Sequence, residues 1–136
     1  KREFLKAYDQ NTHPTGGNGV VDPGETPLRE SMKLIRMADL FVGNDSGPKH
    51  LAIASGLPAV TLIGPEDPFE WHPYSEDRYP FLHVPDLKCR KDAPAGYPPW
   101  CGLLTCVEEG HKCMKEITVD QVWEKCEKVF PNASEG

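Results

Sequence analysis

Apolar residues recur at helical spacing in two segments of the first half of the chain. The first predicted helix starts at Thr26, the N-cap, with Pro27 in the first helical position, and continues to about Ala38. Its apolar positions are Leu28, Met32, Leu34 and Ile35. The second predicted helix covers residues 48–55, is almost wholly apolar, and is closed by Gly56.

Two short apolar runs, at residues 40–42 and 59–63, predict strands. The second run is apolar almost throughout, which suits a strand that is covered on both faces. A short helix over residues 2–8 and a brief strand at residues 20–21 are also predicted. Because helices and strands alternate, we predict an α/β fold with a Rossmann-like parallel sheet and flanking helices.

The second half of the chain is less regular. Residues 66–115 are rich in proline, aromatic residues and cysteine, and one further strand is predicted at residues 81–84. A final helix begins with a capping box formed by Thr118 and Gln121. Its predicted apolar face consists of Val119, Val122, Trp123, Cys126, Val129 and Phe130.

Length, charge and hydropathy indicate a small domain that neither binds nucleic acid nor spans a membrane. We expect residues 1–136 to form a single, partial domain with a Cys- and Pro-rich irregular insert over residues 86–116. The net charge of −6 argues against nucleic acid as a partner, because nonspecific binding needs a basic face. No apolar run approaches the roughly 18 residues of a transmembrane helix, and the first residues do not resemble a signal peptide. We therefore expect a cytoplasmic protein whose five cysteines are reduced or metal-bound.

A turn rich in glycine and polar residues joins the strand at residues 40–42 to the next helix. In an open parallel sheet this turn lies beyond the carboxyl end of the strand, where ligands bind. The amides of the helix's first turn and the positive end of its dipole favour a phosphate group. Gly43 and Gly47 permit a tight turn and a close approach to the ligand. The side chains that offer further contacts to the phosphate are Ser46, Lys49 and His50.

Asp45 needs a different role, because a carboxylate repels phosphate. It either caps the helix or accepts hydrogen bonds from sugar hydroxyls. The local chemistry also leaves a simpler interpretation of the whole turn open, in which Asp45 or Ser46 only caps the helix and His50 is a surface residue.

The turn and the residues after it resemble glycosyltransferase family 9, the family of the ADP-heptose:lipopolysaccharide heptosyltransferases. Order and spacing agree with that family from about Gly24 to Phe130. The matching segments are residues 38–52, with Asp-Ser-Gly-Pro-Lys-His-Leu-Ala at 45–52, residues 58–64, residues 65–68 with Trp71 and Pro73, and the stretch from Cys113-Met114 into the last helix.

The resemblance implies a two-domain GT-B enzyme. Its C-terminal α/β domain holds a nucleotide-sugar donor, for which ADP-heptose is the expected ligand, and its N-terminal domain supplies the acceptor site and the catalytic base. The transfer is expected to invert the sugar carbon and to require no metal or cofactor. The acceptor is a lipid-linked saccharide of the lipopolysaccharide core, at the inner face of the inner membrane. Carried over by position, Asp45, Ser46, Gly47 and His50 are expected to contact the diphosphate and sugar of the donor. Asn44 and Lys49, in the same turn, are further candidates for donor contacts.

Parts of the family's pattern have no counterpart in this sequence. These parts are the N-terminal domain, the catalytic base, and the first strand and helix of the nucleotide domain with its phosphate-binding lysine. We therefore expect no turnover by this chain alone, and we expect its partner to be an acceptor-binding N-terminal domain or subunit.

The loop after the strand at residues 59–63 is predicted to lie on the same side of the sheet as Asp45. It carries Glu66, Asp67 and Trp71, which are candidates for lining the donor or acceptor cleft. The alternative is that Trp71 and Tyr74 only pack the loop.

Four cysteines follow, at Cys89, Cys101, Cys106 and Cys113. Their spacing fits the paired ligands of a zinc site only loosely, with His111 as an additional candidate ligand. They form either a structural metal clip or a redox-sensitive loop, or they are reduced, partly buried thiols that hold an irregular segment together. Cys126, on the last helix, is predicted to be a small core residue.

Two functions from different classes remain. The leading hypothesis is the donor-binding domain of a heptosyltransferase-like enzyme of lipopolysaccharide core assembly. The alternative is a non-catalytic module that binds a nucleotide, or a partner through its cysteine clip. An enzyme needs a second domain or subunit, whereas a binding module does not.

Overall fold

The computed structural model describes residues 24–90, 100–101, 103, 105–108 and 110–130. The described helices are α1 (Leu28–Arg36), α2 (Gly47–Ala54), α3 (Pro68–Trp71), α4 (Lys112–Lys115) and α5 (Val119–Val129). The described strands are β1 (Phe41–Asn44), β2 (Ala59–Ile63) and β3 (Phe81–His83). The helix predicted at residues 2–8 and the strand predicted at residues 20–21 lie outside the described residues.

The chain divides into two compact units, Lys1–Ser31 and Met32–Gly136, and the sheet belongs to the second unit. The single domain predicted over residues 1–136 and the insert predicted over residues 86–116 stay predictions.

A parallel sheet in the order β1-β2-β3 forms the centre of the second unit. Phe41 of β1 pairs with Ala59 of β2, and Thr61 of β2 pairs with Phe81 of β3. Helices α2, α4 and α5 all contact β2. This parallel sheet with flanking helices confirms the Rossmann-like α/β fold predicted from the alternation of helices and strands.

The core lies along β2. Ala59, Val60, Thr61 and Ile63 are all buried, so the strand is covered on both faces, as its continuous apolar run predicted. The parallel pairing brings the carboxyl ends of β1 and β2 to one edge of the sheet, where the turns that follow Asn44 and Ile63 lie side by side.

Helix α1 starts one residue later than its sequence suggested. The Pro27 carbonyl accepts hydrogen bonds from the amides of Glu30 and Ser31 at 2.9 and 3.0 Å, so Pro27 and not Thr26 occupies the cap position. The Thr26 hydroxyl instead lies 2.7 Å from the hydroxyl of Ser31. No residue of α1 is buried, and Leu28, predicted to lie on its apolar face, is 66% exposed.

Helices α2 and α5 have the predicted ends. Helix α2 ends before Gly56, whose φ of +79° is the left-handed conformation that favours glycine after a helix. At α5 the Thr118 hydroxyl accepts from the Gln121 amide at 3.2 Å, and the Gln121 side chain accepts from the Thr118 amide at 2.8 Å. The capping box is therefore confirmed.

The predicted apolar face of α5 is only partly buried. Cys126 is buried, as predicted for a core cysteine, but Val119 is 82% exposed and Trp123 is about half exposed. Val119 belongs to the first turn of the helix, directly after the cap. Helical spacing thus identified the stripe of apolar residues without showing how much of it the sheet covers.

Candidate functional site

The turn between β1 and α2 is anchored to the neighbouring strand. The Asp45 amide donates to the carbonyl of Leu62 in β2 at 3.0 Å, which fixes the turn at the carboxyl edge of the sheet. Ser46 is the N-cap residue of α2, but its hydroxyl donates to the Asn44 carbonyl at 3.1 Å and makes no capping bond. Ser46 therefore occupies the cap position without a side-chain capping bond, and the simpler interpretation of the turn stays open.

Two backbone amides of this turn have no hydrogen-bond acceptor among the described residues. The N–H groups of Ser46 and Gly47 donate no hydrogen bond to any residue that the structure describes. They lie at the positive end of the α2 dipole, so together they offer an anion two donors and a favourable field.

Gly43 and Gly47 differ in what surrounds them. A Cβ on Gly47 would meet no atom within 4 Å, so its backbone is open to a close approach. A Cβ on Gly43 would lie 2.9 Å from Cζ of Phe41, so Gly43 makes room for that ring inside β1 and does not serve the turn.

An open cleft of about 400 Å³ lies over this turn. It is lined by Asp45, Ser46, Gly47, His50, Glu66 and Trp71. The structure thus brings four of the six predicted turn residues together with Glu66 and Trp71 from the following loop. The backbone of both turns lies at the sheet edge where ligands of parallel α/β folds bind.

Three of the predicted site residues do not line this cleft. Asn44 is the last residue of β1, and its carbonyl accepts from Ser46. Asp67 is the N-cap of α3, and its carboxylate accepts from the Phe69 amide at 2.9 Å. Lys49 was predicted to place a positive charge beside the ligand, but its side chain is completely buried beneath the turn.

Lys49 is held by two partners from different turns. Its Nζ forms an ion pair with the Asp45 carboxylate and donates to the Trp71 carbonyl at 2.7 Å. It also lies 5.7 Å from the centre of the Tyr74 ring. The prediction is corrected accordingly: burial directs the ammonium to protein partners, because an unpaired charge in the interior is strongly unfavourable.

His50 is oriented by Tyr74. Its Nδ1 lies 2.6 Å from the Tyr74 hydroxyl, and the ring is partly exposed at the cleft. Burial lowers the pKa of His50 below its usual value, the positive charge of Lys49 lowers the pKa further, and Asp45 partly opposes both. The neutral imidazole is therefore favoured, with its second nitrogen, Nε2, left to contact a ligand.

Behind His50, Tyr74 belongs to a group of aromatic rings. Its ring centre lies 5.3 Å from that of His72 and 5.9 Å from that of Tyr79. His72 is buried and its Nε2 lies 2.6 Å from the Tyr79 carbonyl, so Nε2 must carry the hydrogen. Burial lowers the pKa of His72. The sequence indicates that Tyr74 packs this loop, but not that its ring meets His50, His72 and Tyr79, because these residues come together only in the folded chain.

The cysteines predicted as metal candidates line a second cavity of about 220 Å³. Its lining includes Cys89, Cys101, Cys106, Cys113 and His111. Among the described residues, no three histidine, cysteine or acidic side chains are arranged to hold a metal ion. All five cysteines are free thiols, and burial, followed by the neighbouring Cys101, raises the pKa of Cys89.

Comparison with known protein families gives a match that covers both the sheet and the turn after β1. The sequence profile of glycosyltransferase family 9 (heptosyltransferase) matches residues 20–96, which include the whole sheet and the cleft. The chain belongs to this family. The family 9 assignment confirms the resemblance carried by residues 45–52 and the strand that follows them.

Curated relatives of this family 9 chain are heptosyltransferases. It is 28% identical over 109 residues to lipooligosaccharide heptosyltransferase 2 of Campylobacter jejuni, covering 80% of this chain and 31% of the relative. It is 30% identical over 100 residues to lipopolysaccharide core heptosyltransferase OpsX of Haemophilus influenzae, covering 73% of this chain and 28% of the relative. The chain thus spans less than a third of the length of either relative. No solved structure matches it at a comparable level of significance.

In its described residues, this family 9 chain has no helix that is long and apolar enough to cross a membrane.

Proposed function

We propose that this chain provides the donor-binding cleft of a glycosyltransferase that transfers heptose during assembly of the lipopolysaccharide core. One observation carries the proposal. Asp45, Ser46, Gly47, His50, Glu66 and Trp71 line a single cleft at the carboxyl edge of a parallel sheet. The sequence alone predicts four of them, Asp45, Ser46, Gly47 and His50, as contacts of a nucleotide diphosphate sugar.

The two ends of such a donor match different parts of the cleft. The free amides of Ser46 and Gly47 and the α2 dipole suit the diphosphate. His50 adds a hydrogen bond from Nε2 to a phosphate oxygen. Asp45 and Glu66 accept hydrogen bonds and suit the sugar hydroxyls, and the half-exposed Trp71 ring offers an apolar surface beside them.

The same arrangement favours reaction as well as binding. Negative charge develops on the nucleotide diphosphate as its bond to the sugar breaks. Amides and a helix dipole that are already oriented stabilise this charge without rearrangement, which is a large contribution to catalysis in many enzymes. No metal or cofactor is needed for this role, and we propose that transfer inverts the sugar carbon.

The sugar is proposed from the names of the relatives, which are heptosyltransferases of lipooligosaccharide and lipopolysaccharide. We propose ADP-heptose as the donor and a lipid-linked core saccharide as the acceptor. Since this chain spans less than a third of those relatives, we propose that an acceptor-binding domain or subunit completes the enzyme and that the chain alone does not turn over. The complete enzyme would work in the cytoplasm, at the inner face of the membrane that carries its acceptor.

Titration of the isotopically labelled chain with ADP, followed by NMR, tests the proposal. We expect saturable shifts at the amides of Ser46 and Gly47 and at the His50 ring, with adenosine producing much smaller shifts at these positions. UDP is the competitor, and a preference for ADP supports the adenine donor. A preference for UDP would keep the cleft but change the donor class. Absence of shifts at the turn with either nucleotide would overturn the proposal.

A further inference from the structure

Lys49 is the only charged side chain among the residues that the structure describes as fully buried. It lies at 0% exposure in the first turn of α2, directly beneath a cleft whose lining it does not join. A buried ammonium is unfavourable unless it is paired and hydrogen-bonded, so its position needs an explanation.

The two partners of Lys49 belong to different segments of the cleft lining. Asp45 comes from the turn after β1, and Trp71 comes from the end of α3, 22 residues further along the chain than Lys49. Both residues line the cleft. One buried ammonium group therefore links the side chain of Asp45 to the backbone of Trp71.

The ion pair with Lys49 also leaves one carboxylate oxygen of Asp45 available to a ligand. Its Oδ1 contacts Lys49, whereas Oδ2 accepts no hydrogen bond from the described residues. The side chain is 12% exposed and lines the cleft, so Oδ2 remains available as an acceptor for a ligand hydroxyl. A carboxylate held in this way presents one acceptor in one direction.

Charge gives a second reason for the pairing. Asp45 stands next to the amides of Ser46 and Gly47, where an unpaired carboxylate would repel a diphosphate. Opposite charges in contact largely cancel at a distance, so the Lys49–Asp45 pair lets an acidic side chain and an anion share one cleft.

We propose that Lys49 is a positioning residue of the cleft, which orients Asp45 toward a ligand hydroxyl, links Asp45 to the backbone of Trp71, and cancels the carboxylate charge that a nucleotide diphosphate would otherwise meet. This inference rests on the proposed function for the identity of the ligand. The ion pair and its effect on the cleft do not depend on it.

The test uses the full chain and two neutral variants. Lys49→Met keeps the length and apolar stem of the side chain, and Lys49→Gln also keeps a hydrogen-bond donor. Lys128→Met removes a lysine that lies on an exposed face of α5, outside the cleft, and serves as the control. The His50 ring is titrated by NMR without ligand, and ADP affinity is then measured at neutral pH.

The ligand-free titration is decisive for the ion pair. Two charged groups act on His50: Lys49 lowers its pKa and Asp45 raises it. Tyr74 is hydrogen-bonded to Nδ1 of His50, and Glu66 lines the same cleft. Removing the Lys49 charge must therefore raise the pKa of His50 in both variants, while Asp45→Asn lowers it. An ammonium group that did not lie beside Asp45 and His50 would leave this pKa unchanged. If Lys49→Met does not fold, Lys49→Gln is used alone. An unchanged His50 pKa in a folded variant would overturn the inference.

The ADP titration then tests the role in binding. We expect both neutral variants to bind ADP about tenfold more weakly than the wild type. A change of this size is expected when one charge acts on a bound diphosphate over several ångströms at an effective dielectric constant of about 20 to 80. Lys128→Met should bind as the wild type does. If the wild type itself fails to bind ADP, the proposed function fails while the His50 titration still decides the ion pair. If the wild type binds ADP and both variants bind it equally well, the positioning role is wrong.

Discussion

The hydroxyl of Tyr74 lies 2.6 Å from Nδ1 of His50, although 24 residues separate the two along the chain. His50 belongs to α2, whose first turn contributes to the cleft, and Tyr74 follows α3 in the chain. A histidine that hydrogen-bonds through one nitrogen presents the other in a fixed direction. Tyr74 therefore orients the His50 ring without lining the cleft itself.

Replacing Tyr74 with Phe should weaken ADP binding and leave the fold intact. The ring and its packing remain, but His50 loses the partner that fixes its tautomer and orientation. We expect roughly a fivefold rise in the Kd for ADP, which corresponds to the ~1 kcal/mol of a typical net hydrogen bond. Calorimetric titration of the variant measures it. Tyr79→Phe is the matched control, because Tyr79 packs against Tyr74 without lining the cleft, and equal effects of the two variants would argue against a role for the His50–Tyr74 bond.

The dependence of ADP affinity on pH should report the contact between His50 and the diphosphate. Burial and Lys49 lower the pKa of His50, so the free protein holds it neutral at pH 7. A bound anion stabilises the imidazolium and raises the pKa, so a proton is taken up on binding. Affinity therefore rises as the pH falls through the interval between the bound and free pKa values.

The comparison needs a variant, because ADP itself titrates in the same range. His50→Gln retains an amide nitrogen but has no titration of its own, so the ratio of the wild-type and variant Kd values cancels the contribution of ADP. This ratio should increasingly favour the wild type as the pH is lowered from 7.5 to about 5.5. A constant ratio would mean that His50 does not contact the phosphates.

How much of this site the sequence could predict depends on the range of the interactions. The capping box of Thr118 and Gln121, the stop at Gly56 and the buried strand Ala59–Ile63 each depend on residues within a few positions of one another, and all three were predicted. The bonds from Lys49 to the Trp71 carbonyl and from His50 to Tyr74 span 22 and 24 residues. They depend on how two turns meet at the edge of the sheet, which no local pattern specifies.

Lys49 illustrates the limit best. Its sequence position, one residue before His50 in a predicted phosphate-binding turn, gave it the role of a ligand contact. Helix geometry decides otherwise, because the first turn of α2 directs position 50 toward the cleft and position 49 toward the protein interior. The residue type indicates a positive charge in this turn, but only the fold shows that the charge meets Asp45 and the Trp71 carbonyl.

His72 should make the stability of the protein depend on pH. Burial lowers its pKa in the folded state, so the unfolded chain binds more protons once the pH falls below about 6.5, the ordinary value for an imidazole. The free energy of unfolding should therefore fall as the pH is lowered from that value toward the folded-state pKa, and be unaffected by this group above it. Urea denaturation at several pH values measures the effect.

His72→Gln isolates this contribution, because the glutamine amide can replace Nε2 as the donor to the Tyr79 carbonyl but does not titrate. The variant should lose less stability than the wild type when the pH is lowered. His111→Asn is the control, since His111 is exposed and adopts a left-handed conformation that asparagine tolerates. The same pH dependence in the wild type and His72→Gln would show that His72 is not the group responsible.

Two glycines on either side of Asp45 should respond to alanine in opposite ways. In Gly43→Ala the new methyl group would lie 2.9 Å from the Phe41 ring, so the ring must shift, and we expect a loss of about 1–3 kcal/mol in the free energy of unfolding. In Gly47→Ala the methyl group meets no atom within 4 Å and the backbone needs no left-handed conformation, so stability should be unchanged or slightly higher.

The methyl group of Gly47→Ala stands where a phosphate approaches the Gly47 amide, so ADP binding should weaken severalfold. Urea denaturation and ADP titration of both variants separate the two effects, and a Gly47→Ala chain that binds ADP normally would place the diphosphate away from the start of α2.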